Sequence, residues 1–198
     1  MVFQPTYFSP VYQFQKLIKS DTVIFEVFDN YQKQTYRTRC SIYGANGKLS
    51  LNIPIKHHNG VRQKTRDIKI ENAFPWQKNH FKSLENAYRS SPYFEFYEDE
   101  LIPFYNKEYT YLLDFLLETQ KWSFDTLQLD IDFQKTKEFI THYPKDEDYR
   151  YLSDAKSKET FPVQAYNQVF AQKHGFIPNL SILDLLFNEG PNALNFLL

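Results

Sequence analysis

The stretch Gln4-Pro5-Thr6-Tyr7-Phe8-Ser9-Pro10 sets an amide, a phenol and two hydroxyls among two prolines. Those prolines exclude a regular helix or a central strand there. With a short strand before it and a helix after it, the turn falls at the carboxyl end of a strand. Open α/β sheets bind ligands in that position, and helix N-termini favour anionic groups. Gln4 and Tyr7 could then orient an acceptor or polarise a carbonyl. The plainer reading is a rigid connection that satisfies the start of a helix.

Arg37 and Arg39 are the second candidates. Side chains two apart on a strand share a face, and guanidinium forks suit phosphate or carboxylate. The alternative is a solvated strand face on which they pair with Asp29 or Asp67. Trp76 and His80 stand one helical turn apart. An imidazole beside an indole can serve as a base or stack on a sugar, or it can simply pack helices together. The run Lys56, His57, His58, Arg62, Lys64, Arg66, Lys69 could grip an anion or a nucleic-acid backbone, or stand as solvated surface. No aromatic interleaves it, so base stacking is not expected and nucleic acid is not the expected partner. Cys40 lies on the apolar side of its strand and reads as a buried thiol. Ser181 and Asp184 read as an S-x-x-D helix cap.

The standard cofactor and hydrolase signatures are absent: no G-x-G-x-x-G, Walker loop, H-E-x-x-H, G-x-S-x-G or C-x-x-C occurs. One cysteine cannot build a clustered Cys/His zinc site, and adjacent His57-His58 point apart. Neither a metal nor an organic cofactor is expected.

The elements that must position these groups follow from periodicity. Met1–Phe3 is a short apolar strand, Val11, Phe14, Leu17 and Ile18 have helical spacing, and Thr22–Phe28 is a near-continuous apolar run. Ser9 is placed to cap the helix, with Pro10 in its first turn. This is a βαβ pattern, which implies parallel strands and a right-handed crossover. A meander follows. Tyr36–Tyr43 alternates, Asn46-Gly47 makes a hairpin turn, Leu49, Leu51 and Ile53 alternate, Asn59-Gly60 turns again, and Arg66–Glu71 closes it. Helices are expected from Asn72 or Ala73 to Ser91, over Tyr109–Trp122, over Val163–His174 before Gly175, and over Leu180–Asn188. Tyr143–Thr160 is charged, poor in apolar residues, and reads as a surface loop. The fold class is α/β: a mostly parallel βαβ start, an antiparallel meander, and a helix-rich C-terminal half packed on the sheet. The alternative is α+β.

A length of 198 residues fits one domain over 1–198, able to bury roughly 70% of its unfolded surface. With 19 Phe and 15 Tyr the core must be largely aromatic, and its tyrosine hydroxyls need partners. A formal net charge of -1 implies no bulk nucleic-acid or anionic-membrane partner. The N-terminus lacks a signal-peptide pattern, and no apolar run is long enough to span a bilayer. The expected location is the cytoplasm, without membrane insertion. Oligomeric state is not set by any of these features.

The order of several segments resembles a known pattern. Gln4-Pro5-x-Tyr7-x-x-Pro10, Asp29-Asn-Tyr-Gln32-Lys33, Arg37-Thr38-Arg39, Leu51-x-Ile53-Pro54-Ile55, Trp76, His80, Tyr88, Pro92-Tyr93 and Leu180-Ser181-Ile182-Leu183-Asp184-Leu185-Leu186-Phe187-Asn188-x-Gly190 look like the WbqC-like family. Three features depart from it: Phe3 stands where many relatives have His, Thr38-Arg39 stands where many read Asn-Arg, and the central region is shorter, with their Tyr-Leu-Ser-Gly surviving at most as Tyr151-Leu152-Ser153-Asp154. The resemblance implies a bacterial protein of O-antigen-type surface-polysaccharide biosynthesis, transferring a glycyl or other acyl group to an amino sugar. It also implies a site where Gln4, Tyr7 and Arg39 converge, with Arg39 on an anionic group such as a nucleotide-sugar diphosphate and His80 the candidate base. The other reading is a non-enzymatic binding or scaffold protein of the same pathway, consistent with the missing His.

Overall fold

The structure is a computed structural model that describes residues 1–56 and 62–198. His57, His58 and the Asn59-Gly60 turn lie outside the described residues. Strand β1 (Val2–Phe3), helix α1 (Val11–Ile18) and strand β2 (Val23–Phe25) form the expected parallel crossover, with Val2 opposite Ile24. Strands β3 (Arg39–Gly44) and β4 (Gly47–Asn52) pair antiparallel as a hairpin. Helices α2 (Trp76–Tyr88), α3 (Phe94–Asn106) and α4 (Leu112–Thr126) follow. Strand β5 (Phe133–Lys135) then returns beside β2, also parallel, giving the sheet order β1-β2-β5. Helices α5 (Ala171–His174), α6 (Ile182–Glu189) and α7 (Leu194–Leu197) complete the mixed α/β fold.

The core is one cluster dominated by aromatic rings. Phe14 of α1 meets Phe124 of α4 at 5.4 Å between centroids, and Phe25 of β2 meets Phe133 of β5 at 5.2 Å. Such ring pairs combine large apolar burial with edge and offset contacts that fix orientation.

Helix starts expose unpaired N–H groups that need acceptors. Ser9 does not cap α1. Pro10 holds the N-cap position, and the hydroxyl of Ser9 donates to Gln120 at 2.7 Å instead. The first N–H groups of α1 reach across the chain: Val11 donates to the Leu180 carbonyl and Tyr12 to Asn179 Oδ1, both at 2.9 Å. In return Ser181 donates its hydroxyl to the Phe8 carbonyl, and the Ile182 N–H donates to the Ser9 carbonyl. The starts of α1 and α6 thus satisfy each other. Only half of the expected Ser181–Asp184 cap forms, since Ser181 Oγ accepts from the Leu183 N–H. Asp184 turns inward and accepts from Tyr88, Tyr166 and Gln168 at 2.7, 2.7 and 2.8 Å. Burial pushes its carboxyl pKa up, and the three donors pull it back in part.

Several other expectations need correction. The hairpin turn centres on Ala45-Asn46, one residue early, and Gly47 supplies the positive φ of 98°. The third meander strand is not regular. Residues 65–67 make a 3₁₀ turn because backbone and hydroxyl of Thr65 are both drawn to Asp29. Isolated bridges then join Ile55 to Ile70 and Lys69 to Tyr111, with Ile68 and Ile70 buried as expected. The helix over 163–174 shrinks to α5. The Gln168 side chain exchanges two hydrogen bonds with the Ile177 backbone, and Tyr166 is held by Asp184, so local bonds displace the helical ladder. Helix α3 and strand β5 were not foreseen; Phe94, Tyr97, Leu101 and Tyr105 carry the helical spacing of α3 around an internal Pro103. The stretch 143–160 is not merely surface: residues 147–149 bond the free edge of β1, where the Val2 N–H donates to the Glu147 carbonyl and the Tyr149 N–H to the Val2 carbonyl.

Asp184→Ala strands two phenols and an amide in the core, so it should lower unfolding free energy by about 3 kcal/mol or more in denaturant titration.

Candidate functional site

The three parallel strands end on one side of the sheet, and a cleft of about 830 Å³ opens there. The chain leaves β1 into Gln4, leaves β2 into Glu26 and Asp29, and leaves β5 into Thr136. Asp29 is the hub. Its Oδ2 accepts from Gln4 Nε2 at 2.9 Å and from Arg37 Nη2 at 2.7 Å, and its Oδ1 accepts from the Thr65 hydroxyl at 2.6 Å. Thr65 in turn accepts from Arg37 Nη1 at 3.0 Å. Arg37 is only 1% exposed, and burial lowers its pKa while the Asp29 carboxylate pulls the other way. Gln4 Oε1 and Arg37 Nε, both in residues lining the cleft, have no hydrogen-bond partner among the described residues.

The opposite wall comes from residues 139–154. Arg150 grips Asp148 with two bonds at 2.8 and 2.6 Å, and donates to the carbonyls of Ile140 and Thr141. Its guanidinium lies 4.9 Å from the Tyr143 ring and 3.9 Å from the buried Glu26 carboxylate. The bidentate pair raises the Arg150 pKa and lowers that of Asp148. Exposed rings of Phe139 and Tyr151 flank this polar floor. The cleft is therefore polar below and aromatic at its rim, the combination that orients a small ligand by hydrogen bonds while covering its apolar faces.

Of the candidates from sequence, Gln4 and Arg37 meet in this cleft. Tyr7 does not line it. Its hydroxyl is sealed in the core, 3.1 Å from His80 Nδ1 and 2.9 Å from the Tyr105 hydroxyl. His80 packs edge-on against Trp76 at 5.2 Å, so this pair joins α2 to the core. Burial drives the His80 pKa down to about 4, with a backbone hydrogen bond to Asn52 opposing the shift. Arg37 and Arg39 do not share a strand face: Arg37 sits in the turn before β3, whereas Arg39 opens β3 opposite Asn52 and is not among the lining residues. Of the basic run, Lys64 and Arg66 lie over the Phe28 ring and Lys69 over Tyr111. Burial pushes the Cys40 thiol up to about 12, which removes it as a nucleophile at neutral pH. Among the described residues no group of three His, Cys, Asp or Glu is placed to hold a metal ion, and no helix is long and apolar enough to cross a membrane.

The sequence model of the WbqC-like protein family matches residues 4–161 and 155–196, almost the whole chain. The chain belongs to the WbqC-like family. It is also 25% identical over 201 residues to an uncharacterised protein of Mycobacterium tuberculosis, covering 87% of each chain. No solved structure matches it. In this WbqC-like chain the residues that carried the resemblance separate into two groups. Gln4, Asp29, Gln32 and Arg37 lie at the cleft, as do Tyr151, Ser153 and Asp154. Tyr88, Ser181 and Asp184 hold the core and the helix start. Phe3 is fully buried and stacks on Tyr149 at 5.2 Å.

Asp148, Arg150 and Tyr143 escaped sequence reasoning because their stretch looked like solvated loop. The alternation of Tyr149-Arg150-Tyr151 within it was the available signal. Glu26, the lone charge in an apolar run, was another; it is fully buried, its Oε1 accepts from Thr136 and the Phe28 N–H, and its Oε2 faces Arg150 at 3.9 Å without a hydrogen bond among the described residues.

Two measurements probe these polar centres. Asp29→Ala leaves a buried guanidinium without its counter-charge and should cost about 3–5 kcal/mol of stability by chemical denaturation. The folded His80 has a pKa of about 4 against 6.5 when exposed. Between those pH values the unfolded chain takes up a proton that the folded chain refuses. Stability is thus intact above the upper value and falls as pH drops through the window, on the order of 3 kcal/mol in all. His80→Leu should flatten that part of the pH profile; an unchanged slope would refute the buried neutral imidazole.

Proposed function

We propose that this WbqC-like protein is a cytoplasmic transferase of bacterial surface-polysaccharide biosynthesis, which moves a glycyl or other acyl group onto an amino sugar held in the cleft. The observation that carries this reading is Gln4 after β1 and Arg37 before β3 meeting on Asp29 at the cleft, each with a polar atom that no described residue hydrogen-bonds. Buried polar atoms left unpaired cost free energy, and functional sites are where such atoms persist. Gln4 is suited to orient the acceptor or polarise the reacting carbonyl. Arg37, rather than Arg39, supplies the fixed charge on the floor. Tyr7 and His80 act from behind, setting the turn that presents Gln4.

A second reading, a non-enzymatic binding protein of the same pathway, is favoured by Phe3, which fills the position of the relatives' His with an inert ring. Mass spectrometry separates the two. Protein incubated with an amino sugar and with an activated donor, a glycyl thioester or another acyl-coenzyme A, should yield N-acylated sugar and the free thiol if it is a transferase. Thermal-shift measurements with millimolar amino sugars, nucleotide-sugars, coenzyme A and amino acids should show stabilisation by at least one of them. Stabilisation without product supports the binding protein, and no stabilisation by any ligand counts against both.

A further inference from the structure

We infer that the outer edge of β4 is an interface between two copies of this chain, paired antiparallel about Leu49 so that two hairpins form one four-stranded sheet. The pairing of the hairpin decides which backbone groups are left over. The Tyr43 N–H donates to the Tyr88 hydroxyl, and the Ser41 carbonyl accepts from the Ser181 N–H, so residues 41 and 43 turn away from β4. Directly opposed residues of an antiparallel pair either exchange both backbone bonds or turn both sets outward. Lys48 and Ser50 stand opposite Tyr43 and Ser41, so their backbone groups turn away from β3. Among the described residues nothing bonds the Lys48 N–H, the Lys48 carbonyl or the Ser50 N–H. The Ser50 carbonyl has only the exposed Asn52 amide, at 3.2 Å.

Open strand edges invite pairing, and folds blunt them with short strands, charge or cover. Both sides of the parallel sheet are treated in that way. Residues 147–149 bond β1, while β5 is three residues long and ends on exposed Lys135. Strand β4 is six residues long, holds no proline, and carries Lys48 as its single charge. Leu49 at its middle is 41% exposed, although it shares the core face with Leu51. The occupant follows from how these groups match themselves. About a two-fold axis normal to the sheet at Leu49, Lys48 faces the partner's Ser50, and every free backbone group finds a complement. Leu49 meets the partner's Leu49 as a directly opposed, non-hydrogen-bonded pair, the closest kind in such a ladder. The two lysines stay out of register, so like charges do not oppose each other. Centring on Ser50 instead would set Lys48 against Asn52, whose backbone His80 already engages, and would leave the exposed leucines apart.

A short edge pairing buries less than the ~800 Å² per partner of a standard interface, so a dissociation constant on the order of 10–100 μM is expected. Sedimentation velocity across that range should show monomer passing to dimer as concentration rises. Leu49→Lys sets like charges face to face on the axis and should hold the chain monomeric throughout. Ser50→Pro removes an outward N–H that the hairpin does not use and should do the same. Position 49 is exposed, so an unchanged melting temperature of dilute Leu49→Lys is expected; this variant decides the matter even if the proline variant fails to fold. Cysteine crosslinking reads the register. Leu49→Cys lies on the axis and should give a disulfide-linked dimer on mild oxidation, whereas Lys48→Cys stands too far from its own copy to bridge. The native Cys40 is buried and contributes no crosslink. A chain that stays monomeric at every concentration overturns the inference, whatever other strand its edge accepts. So does a dimer that survives Leu49→Lys, or one that crosslinks through position 48 rather than 49.

Discussion

The carboxylate of Asp29 joins four separate parts of the chain. Gln4 follows β1, Asp29 follows β2, Arg37 lies in the turn before β3, and Thr65 opens a 3₁₀ turn. Removing a charge pair from water is expensive, and the attraction repays it only when the remaining donors and acceptors are used. Here the carboxylate accepts three bonds, which specifies where each segment stands. The geometry of the cleft floor is a consequence. Gln4 and Arg37 cannot be repositioned without exposing or stranding that charge.

A second buried carboxylate organises the other half by different means. Asp184 has no cationic partner among the described residues; it is held by two phenols and an amide. Tyr88 links it further by accepting from the Tyr43 N–H of β3 at 2.9 Å. An aromatic core rich in tyrosine makes this workable, because each ring buries a large apolar surface and still delivers a donor. The core chain from Tyr105 through Tyr7 to His80 uses the same device. Tyrosine thus serves as both packing material and wiring, and the cleft rests on a rigid base.

How much was legible from the residues varied with the range of the forces involved. The βαβ start was readable because its strands and helix have their own periodicity. The hairpin was readable to within one residue, because Gly47 offers a cheap positive φ. Ser9 misled, because its hydroxyl prefers Gln120 over a hundred residues away while the helix start is capped from Asn179 and Leu180. The helix expected over 163–174 failed for the same reason: Tyr166 and Gln168 make stronger bonds to Asp184 and Ile177 than a local ladder would supply. At the cleft, Gln4 and Arg37 line the floor, although the strand face that singled out Arg37 with Arg39 does not exist, whereas packing separates Tyr7 and His80 from them.

The residues alone determined that the chain starts as a parallel crossover, that it must build an aromatic core, that it carries no standard cofactor signature, and that it resembles one family along most of its length. These are properties of local pattern and composition, which each segment expresses wherever it lies. Tertiary structure alone decided that the charged stretch near Arg150 forms a wall of the cleft, that Arg37 rather than Arg39 reaches its floor, and that Tyr7 faces the core. Those outcomes depend on which buried group finds its partner. Desolvation makes an unpaired charge or hydroxyl costly, and the partners lie tens of residues away, beyond any local pattern.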